Sequence, residues 1–198
     1  MKKIIAVLAC AVLMISGTFA IGLSAGLGGQ FDFGFVSTET ELLGATSKDS
    51  DSSSILGFYG FIDATYVEVD IGMLFDKDDD LDSSLTILNL ALYGKYPFKL
   101  GMISLYPMLG IDYQICVAMD PEPIGVDKAD LNNLWFKLGG GLDINFGRLF
   151  VRGNALFGIK LHNKFEKDLI DLMDTSVSSL SIFTTGLDLR LAIGYRFL

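Results

Sequence analysis

The stretch that decides the fold is the C-terminal one, from Phe183 to Leu198, which reads FTTGLDLRLAIGYRFL. Its odd-numbered positions are nearly all large and apolar, whereas its even-numbered positions are small, polar or charged. Successive side chains of a β-strand point to opposite faces, so this period of two predicts one strand with an apolar face and a charged face.

The composition favours a β protein with tight turns. The chain has 198 residues, of which 51% are hydrophobic and 20% charged, and it contains 22 glycines and 15 phenylalanines but only 4 prolines. These proportions are typical of a globular or membrane-embedded chain rather than a disordered one. The net charge of −9 argues against nucleic acid and anionic lipid as partners, because both are bound by Lys/Arg patches.

The N-terminus reads as a cleavable signal peptide over residues 1–20. Lys2 and Lys3 precede an apolar run from Ile4 to Ile15, and small residues follow up to a cleavage point after Ala20. The run is too short to cross a bilayer as a helix, which favours a secretory signal.

The predicted mature domain is therefore 21–198. Cys10 lies in the middle of the apolar run, which argues against the alternative that it is a lipidated N-terminus. Cys116 is then the only cysteine, so no internal disulfide is expected.

Alternation recurs along the predicted mature domain and predicts eight strands. They are expected at 21–35, 55–64, 67–75, 85–96, 102–117, 134–146, 149–161 and 183–198. Long and short connections alternate, and the predicted long loops are 36–54, 76–84, 118–133 and 162–178. This pattern is typical of an all-β, eight-stranded antiparallel up-and-down transmembrane β-barrel.

Every ionisable residue within these predicted strands falls on the non-apolar parity. The set is Asp32, Asp63, Glu68, Asp70, Lys95, Asp112, Lys137, Asp143, Arg152, Lys160, Asp188, Arg190 and Arg196. The interior of an eight-stranded barrel is just wide enough for side chains to fill. Because an unpaired buried charge is costly, we predict that these residues form a salt-bridged network in the lumen. Glycines on the same face leave open the alternative of a narrow pore for small or apolar solutes.

Aromatic residues on the apolar parity gather near the predicted strand ends. They are Phe33, Phe35, Phe58, Phe75, Phe136 and Phe183 toward the long loops, and Tyr96, Phe146, Tyr195 and Phe197 toward the short turns. Two such girdles on strands long enough to cross hydrocarbon favour a membrane barrel with its apolar face outward. The alternative is a soluble, lipocalin-like barrel with the apolar face turned inward around a ligand cavity.

The last strand also carries a resemblance. Its end, with Ile193, Tyr195 and Phe197, resembles the C-terminal strand of bacterial outer-membrane β-barrels, which the barrel assembly machinery reads as an insertion signal. The whole predicted mature domain is similar to small eight-stranded proteins of the OmpA, OmpX and OmpW kind. FIDATYVEV (61–69), LYGKYPF (92–98) and GIDY (110–113) look closest to uncharacterised spirochaete barrels. The resemblance implies location in the outer membrane, contact with its lipid, and a role ranging from anchor or adhesin to narrow pore.

No catalytic site, metal site or cofactor is predicted. Asp112 and Asp143 form a conceivable acid and base, but inward carboxylates in a barrel are more often salt-bridged, so an enzyme is not expected. His162 is the only histidine, which leaves no His-centred metal site or triad. The acidic run at 76–82 fails the calcium-loop template because Leu81 stands where the turn glycine belongs, so a solvated loop is favoured.

Two binding hypotheses remain at this stage. Trp135, with Tyr59 and Tyr106, lies on the inward parity and could line a ligand niche, although core packing is the favoured interpretation. The four predicted long loops could bind an unknown surface ligand. The expected function is therefore a filled outer-membrane barrel that displays acidic outer loops in a structural or surface-interaction role.

Overall fold

The computed structural model describes residues 22–42, 45–78, 83–121, 128–161 and 178–197. The predicted signal peptide, the middle of the acidic run and residues 162–177 lie outside the described residues. Within the described ranges, no helix is long and apolar enough to cross a bilayer.

These ranges form nine antiparallel strands and one short 3₁₀ helix, Lys128–Leu131. The strands are β1 (Ser24–Leu42), β2 (Ala45–Asp63), β3 (Val67–Asp78), β4 (Ser83–Lys95), β5 (Phe98–Leu100), β6 (Ile103–Asp120), β7 (Asn133–Phe146), β8 (Leu149–Leu161) and β9 (Ser178–Arg196).

All the strands except β5 close into a ring of eight. Each pairs with its neighbour along the chain, and the β1–β9 and β4–β6 ladders complete the circle. The short strand β5, which occupies the turn predicted at 97–101, pairs with the start of β6 from Phe98↔Leu105 to Leu100↔Ile103. The predicted all-β, eight-stranded antiparallel up-and-down barrel is confirmed.

The two ends of the barrel carry different connections. At the end we call the turn end, Gly147 and Arg148 join β7 to β8, and Gly147 has a φ of +69°, which glycine adopts without a side-chain clash. Residues 64–66 join β2 to β3 there, and Thr65 Oγ1 accepts a hydrogen bond of 2.8 Å from the Gly22 N–H. This contact fastens the turn to the start of the first strand. The opposite end, the rim end, carries the hairpins β1–β2, β3–β4, β6–β7 and β8–β9.

The prediction of a loop at 36–54 is wrong. The β1–β2 ladder continues without a break to Leu42↔Ala45, and the β1–β9 ladder reaches Leu42↔Ser178. By contrast, β2 pairs with β3 only from Leu56↔Phe75 to Asp63↔Glu68, so β2 leaves the barrel wall above Leu56. We call this three-stranded sheet, residues 36–42, 45–54 and 178–184, the rim extension.

The sequence hid the β2 part of the rim extension because polar residues occupy both parities of 45–54. Ser and Thr residues follow one another in 45–54, and the side chains of 46–54 are exposed. Apolar and polar residues alternate along a strand only where its two faces meet different surroundings. A strand whose two faces both meet water shows no such alternation. The backbone still pairs, since its hydrogen bonds do not depend on side-chain polarity.

Two further predicted loops are shorter than expected. β3 runs through Asp78 and β4 starts at Ser83, which shortens the loop predicted at 76–84. β6 runs through Asp120 and β7 starts at Asn133, so the loop predicted at 118–133 loses both ends and holds the 3₁₀ helix. The loop predicted at 162–178 ends at Ser178, which already belongs to β9, and its remainder lies outside the described residues.

The outer face of the ring is apolar. Leu27, Leu191 and Ile193 are 75, 66 and 65% exposed, and they belong to a continuous set of outward Leu, Ile, Val and Phe side chains. On β9 this face runs from Phe183 to Tyr195, about 40 Å along the strand, or roughly 30 Å of height at a strand tilt of about 40°. Apolar residues outward and charges inward are the reverse of the arrangement in the soluble, lipocalin-like alternative.

Exposed aromatic side chains lie at both margins of this apolar face. Toward the rim end, the Phe58 and Phe75 rings are 5.7 Å apart. Toward the turn end, Tyr195 and Phe197 are 5.3 Å apart. Ile193, Tyr195 and Phe197 of the predicted assembly signal therefore share the outward face, with exposed fractions of 65, 38 and 52%.

Candidate functional site

The lumen is where the structure places the charged residues selected from sequence. Ten of the thirteen are less than 10% exposed: Asp63, Glu68, Asp70, Lys95, Asp112, Lys137, Asp143, Arg152, Asp188 and Arg190. Alternation along each strand directs these side chains inward, and the antiparallel register stacks them in two groups along the barrel axis.

Arg152 is the centre of the group nearer the turn end. Its Nη1 binds Glu68, its Nη2 lies 2.7 Å from Asp63, and its Nε and Nη2 lie 2.8 and 3.0 Å from the two carboxylate oxygens of Asp143. The Lys95 Nζ adds bonds of 2.5 Å to Asp63 and 2.7 Å to Glu68. We call these five residues the turn-end layer. The planar guanidinium suits this task because its five donors can serve several carboxylates at once.

Arg190 is the centre of the second group, which we call the rim-end layer. Its Nη1 lies 2.6 Å from Asp70, and its Nη2 lies 2.5 Å from Asp188 and 3.2 Å from Asp112. The Lys137 Nζ binds Asp112 at 2.6 Å and Asp188 at 2.8 Å. Both cations of this layer therefore share two carboxylates, on β6 and β9.

Both arginines reach across the lumen. In a ring of eight, β3 stands opposite β8, so the Arg152–Glu68 pair spans the diameter of the barrel. β4 likewise stands opposite β9, and the Arg190 Nη2 donates to the Tyr93 hydroxyl at 2.9 Å. Tyr93 in turn donates to Asp112. At each level the lumen is thus crossed by hydrogen-bonded side chains.

The spaces between the charged groups are filled by aromatic and apolar residues that the sequence analysis did not select. The Arg152 guanidinium carbon lies 4.4 Å from the Phe61 ring centre and 5.0 Å from that of Phe150, within the range of cation–π attraction. Leu74 and Leu156 are also fully buried inside the ring. The sequence did contain a signal for their inward position. Phe61 lies two residues before Asp63, and Phe150 two residues before Arg152, so each aromatic residue shares a strand face with an inward charge.

Asp32, Lys160 and Arg196 are half-buried near the two mouths. Asp32 lies toward the rim end, where both of its oxygens accept hydrogen bonds of 3.1 Å from the Gln30 amide. Arg196 lies at the turn end with its Nη2 3.5 Å from Asp143. The turn-end layer together with Arg196 thus holds three carboxylates and three cations, whereas the rim-end layer holds three carboxylates and two.

Asp112 and Asp143, the conceivable acid and base that the sequence analysis set aside in favour of salt-bridged carboxylates, do not face each other. Asp112 belongs to the rim-end layer and Asp143 to the turn-end layer, and each is bound to a cation. Trp135 does not share a set of contacts with Tyr59 and Tyr106, with which it was grouped as a possible ligand niche. Its Nε1–H donates to Gln114 Oε1 at 2.8 Å.

No protein-family model and no curated protein matches the chain. Among solved structures, Neisserial surface protein A aligns at 5% identity with a TM-score of 0.47, covering 85% of this chain and 97% of that one. The N-terminal β-barrel domain of Pseudomonas aeruginosa OprF aligns at 12% identity with a TM-score of 0.42, covering 85% and 99%. The outer-membrane protease OmpT from Escherichia coli aligns at 8% identity with a TM-score of 0.40, covering 91% and 99%. Likeness at this level carries no argument about activity, and one of the three neighbours is an enzyme.

Proposed function

We propose that this protein is an outer-membrane β-barrel whose lumen is closed by side chains and whose working surface is its rim end. In this role it is a structural or surface-interaction protein rather than a channel or an enzyme. The narrower likeness to the OmpA, OmpX and OmpW proteins, and to spirochaete barrels, is part of the same proposal.

The observation that carries the proposal is the pair of cross-lumen arginines. Arg152 and Arg190 bind carboxylates on strands across the barrel, and both are almost fully buried. Opening a path would require these bonds to break and would leave carboxylates unpaired in a low-dielectric interior. Closure is therefore the low-energy state of the lumen.

Membrane insertion is supported by the outward face. Its apolar height of roughly 30 Å matches a hydrocarbon core, and a closed ring leaves no edge strand unpaired in lipid. The aromatic margins lie where tyrosine and phenylalanine meet headgroups in such barrels. We place the turn end in the periplasm and the rim end outside, as short periplasmic turns and longer outer loops imply.

The rim extension is the surface that we propose for interaction. It carries the exposed residues Lys48, Asp49 and Asp51 and the half-buried Glu39, with a Glu39–Lys48 ion pair of 3.0 Å. Above Leu56 the outer edge of β2 pairs with no strand among the described residues, so its backbone groups are available to a partner.

Single-channel recording in a planar bilayer tests closure. We expect the inserted wild-type protein to pass no discrete current. Reproducible conductance steps that change in an Arg190→Gln variant would overturn the closed-lumen proposal and favour the narrow pore.

Cysteine labelling tests topology. In a Cys116→Ser background, a membrane-impermeant maleimide should label Ser50→Cys on intact cells. Lys99→Cys, at the turn end, should react only after the outer membrane is permeabilised. The reverse pattern would invert the proposed orientation, and equal labelling of both before permeabilisation would contradict membrane insertion.

A further inference from the structure

A cavity of about 190 Å³ lies at the rim end and reaches the rim-end layer; we call it the rim niche. Its walls include Trp135, Val36, Ile55 and Ile87, while Asp32 and Asp188 belong to its charged lining. A dry cavity of about 150 Å³ holds a benzene molecule, so the rim niche has room for one aromatic ring with a short side chain.

The Trp135 ring is held in place by its surroundings. Its Nε1–H is bound to Gln114, and its ring atoms lie where side chains at two glycines would intrude. A Cβ at Gly158 would come within 3.1 Å of the ring and one at Gly186 within 3.2 Å. The absence of side chains at these two positions lets the indole lie against β8 and β9, where it forms a fixed aromatic wall of the niche.

Hydrogen bonding in the niche is left incomplete on the acceptor side. Thr184 and Asp188 line the niche and are 6 and 2% exposed. Thr184 Oγ1 and Asp188 Oδ1 have no hydrogen-bond partner among the described residues. The oxygens of Asp32 accept from the Gln30 amide. Asp32 and Asp188 face each other in the β1–β9 register, and an ammonium group, which has three donors and no acceptor, can donate to both carboxylates.

The charge of the region has the sign that favours a cation. Four carboxylates, Asp32, Asp70, Asp112 and Asp188, lie in the niche lining or the layer beneath it. They are met by three cations, Lys137, Lys160 and Arg190, so the formal charge of the region is −1 when all seven groups are ionised. The Lys137 Nζ bonds Asp112 and Asp188, and Asp32 accepts hydrogen bonds from the neutral Gln30 amide.

We propose that the rim niche binds a small organic cation, namely an aromatic or apolar ring carrying a primary ammonium group. The ring packs against Trp135 and the aliphatic wall, and the ammonium donates to Asp32 and Asp188, which are direct neighbours in the β1–β9 register. This goes beyond the proposed surface role, which requires no small ligand.

Fluorescence of the full-length protein folded in detergent micelles tests this directly, because Trp135 is the only tryptophan of the chain. The probes are phenethylamine, 2-phenylethanol and 3-phenylpropionate, which share a ring and differ in head-group charge. We expect saturable quenching or a spectral shift with the amine and at least about tenfold weaker binding of the alcohol, since charge-assisted hydrogen bonds exceed neutral ones. The carboxylate should not bind.

Asp32→Asn isolates the charge while keeping the shape of the side chain. It should lower amine affinity about tenfold and remove the preference for amine over alcohol. Asp120→Asn, an exposed acid at the end of β6, loses the same charge and should bind like the wild type.

Three outcomes would overturn the proposal. They are equal affinity for amine and alcohol, tighter binding of the carboxylate, or no fluorescence response to any probe by a folded protein. If Asp32→Asn fails to fold, the relative affinities of the wild-type protein for the three probes still test whether the niche prefers a cation. Failure of ligand binding in an electrically silent barrel would leave the closed-lumen proposal standing, so the two are separable.

Discussion

Removing the Arg152 guanidinium should destabilise the barrel far more than removing any surface charge. In Arg152→Met, Asp63, Glu68 and Asp143 lose their shared partner, and only Lys95 and the half-buried Arg196 remain to balance three carboxylates. Deleting one partner of a buried pair costs about 3–5 kcal/mol, because the desolvation of the remaining charge is no longer compensated.

Two matched variants sharpen this prediction. Lys48→Met removes a cation from the Glu39 pair, whose side chains are 67 and 45% exposed, and should change stability by less than about 0.5 kcal/mol. The double variant Arg152→Met/Glu68→Gln restores two carboxylates against two cations, so it should be more stable than the single variant by about 1 kcal/mol or more.

Urea unfolding in detergent micelles, followed by Trp135 fluorescence, measures all of these differences. The reasoning would be refuted by an Arg152→Met variant that loses less than about 1 kcal/mol, or by a double variant that is less stable than the single one. Either result would mean that the turn-end layer is hydrated and that its bonds do not close the lumen.

Three further predictions concern packing, membrane contact and assembly. A Cβ at Gly194 would lie 2.2 Å from the buried Phe150 ring, so Gly194→Leu should cost at least about 1–3 kcal/mol in urea unfolding, whereas Gly153→Ala, with open space around it, should be near neutral. Leu189→Arg, midway along the outward face of β9, should lower the free energy of unfolding in lipid vesicles by about 2–4 kcal/mol. Ser50→Arg, in the rim extension, is its control, and equal stability of the two variants would argue against a transmembrane position for Leu189. Phe197→Ala should lower the amount of folded protein in the outer-membrane fraction several-fold, and Leu149→Ala, an equally exposed control at the same end, should not; equal losses would remove the special role of the C-terminal strand.

The period of two was sufficient to predict the barrel wall because each strand there separates two different environments. On β9, outward Leu189 and Leu191 alternate with inward Asp188 and Arg190, and the same contrast holds on the other long strands of the ring. The inward position of a charge follows from its parity alone. That is why the location of Arg152 was readable without any knowledge of its partners.

The partners themselves were not readable. Arg152 meets Glu68 across the lumen at a separation of 84 residues, a pairing that depends on ring closure and on the stagger of neighbouring strands. The odd or even position of a residue tells which face of the strand it lies on, but not where it lies along the barrel axis. The sequence pattern therefore could not assign the charged residues to two separate layers. It also gave no reason to place Phe61 and Phe150 beside the guanidinium, because apolar residues on the inward parity interrupt the pattern rather than define it.

The two ion-pair layers differ in a way that assigns them different tasks. The turn-end layer is balanced in formal charge once Arg196 is counted, and each of its three carboxylate groups is bound by Arg152 or Lys95. The rim-end layer has one cation fewer than carboxylates, since Arg190 and Lys137 face Asp70, Asp112 and Asp188. A balanced layer has no remaining charge to offer a ligand, whereas an unbalanced one next to a cavity does. Substitutions in the turn-end layer should therefore lower the free energy of unfolding while leaving amine affinity unchanged. Asp32→Asn should instead lower amine affinity while leaving the free energy of unfolding nearly unchanged. Joint loss of both properties in either case would mean that the two layers act as one unit.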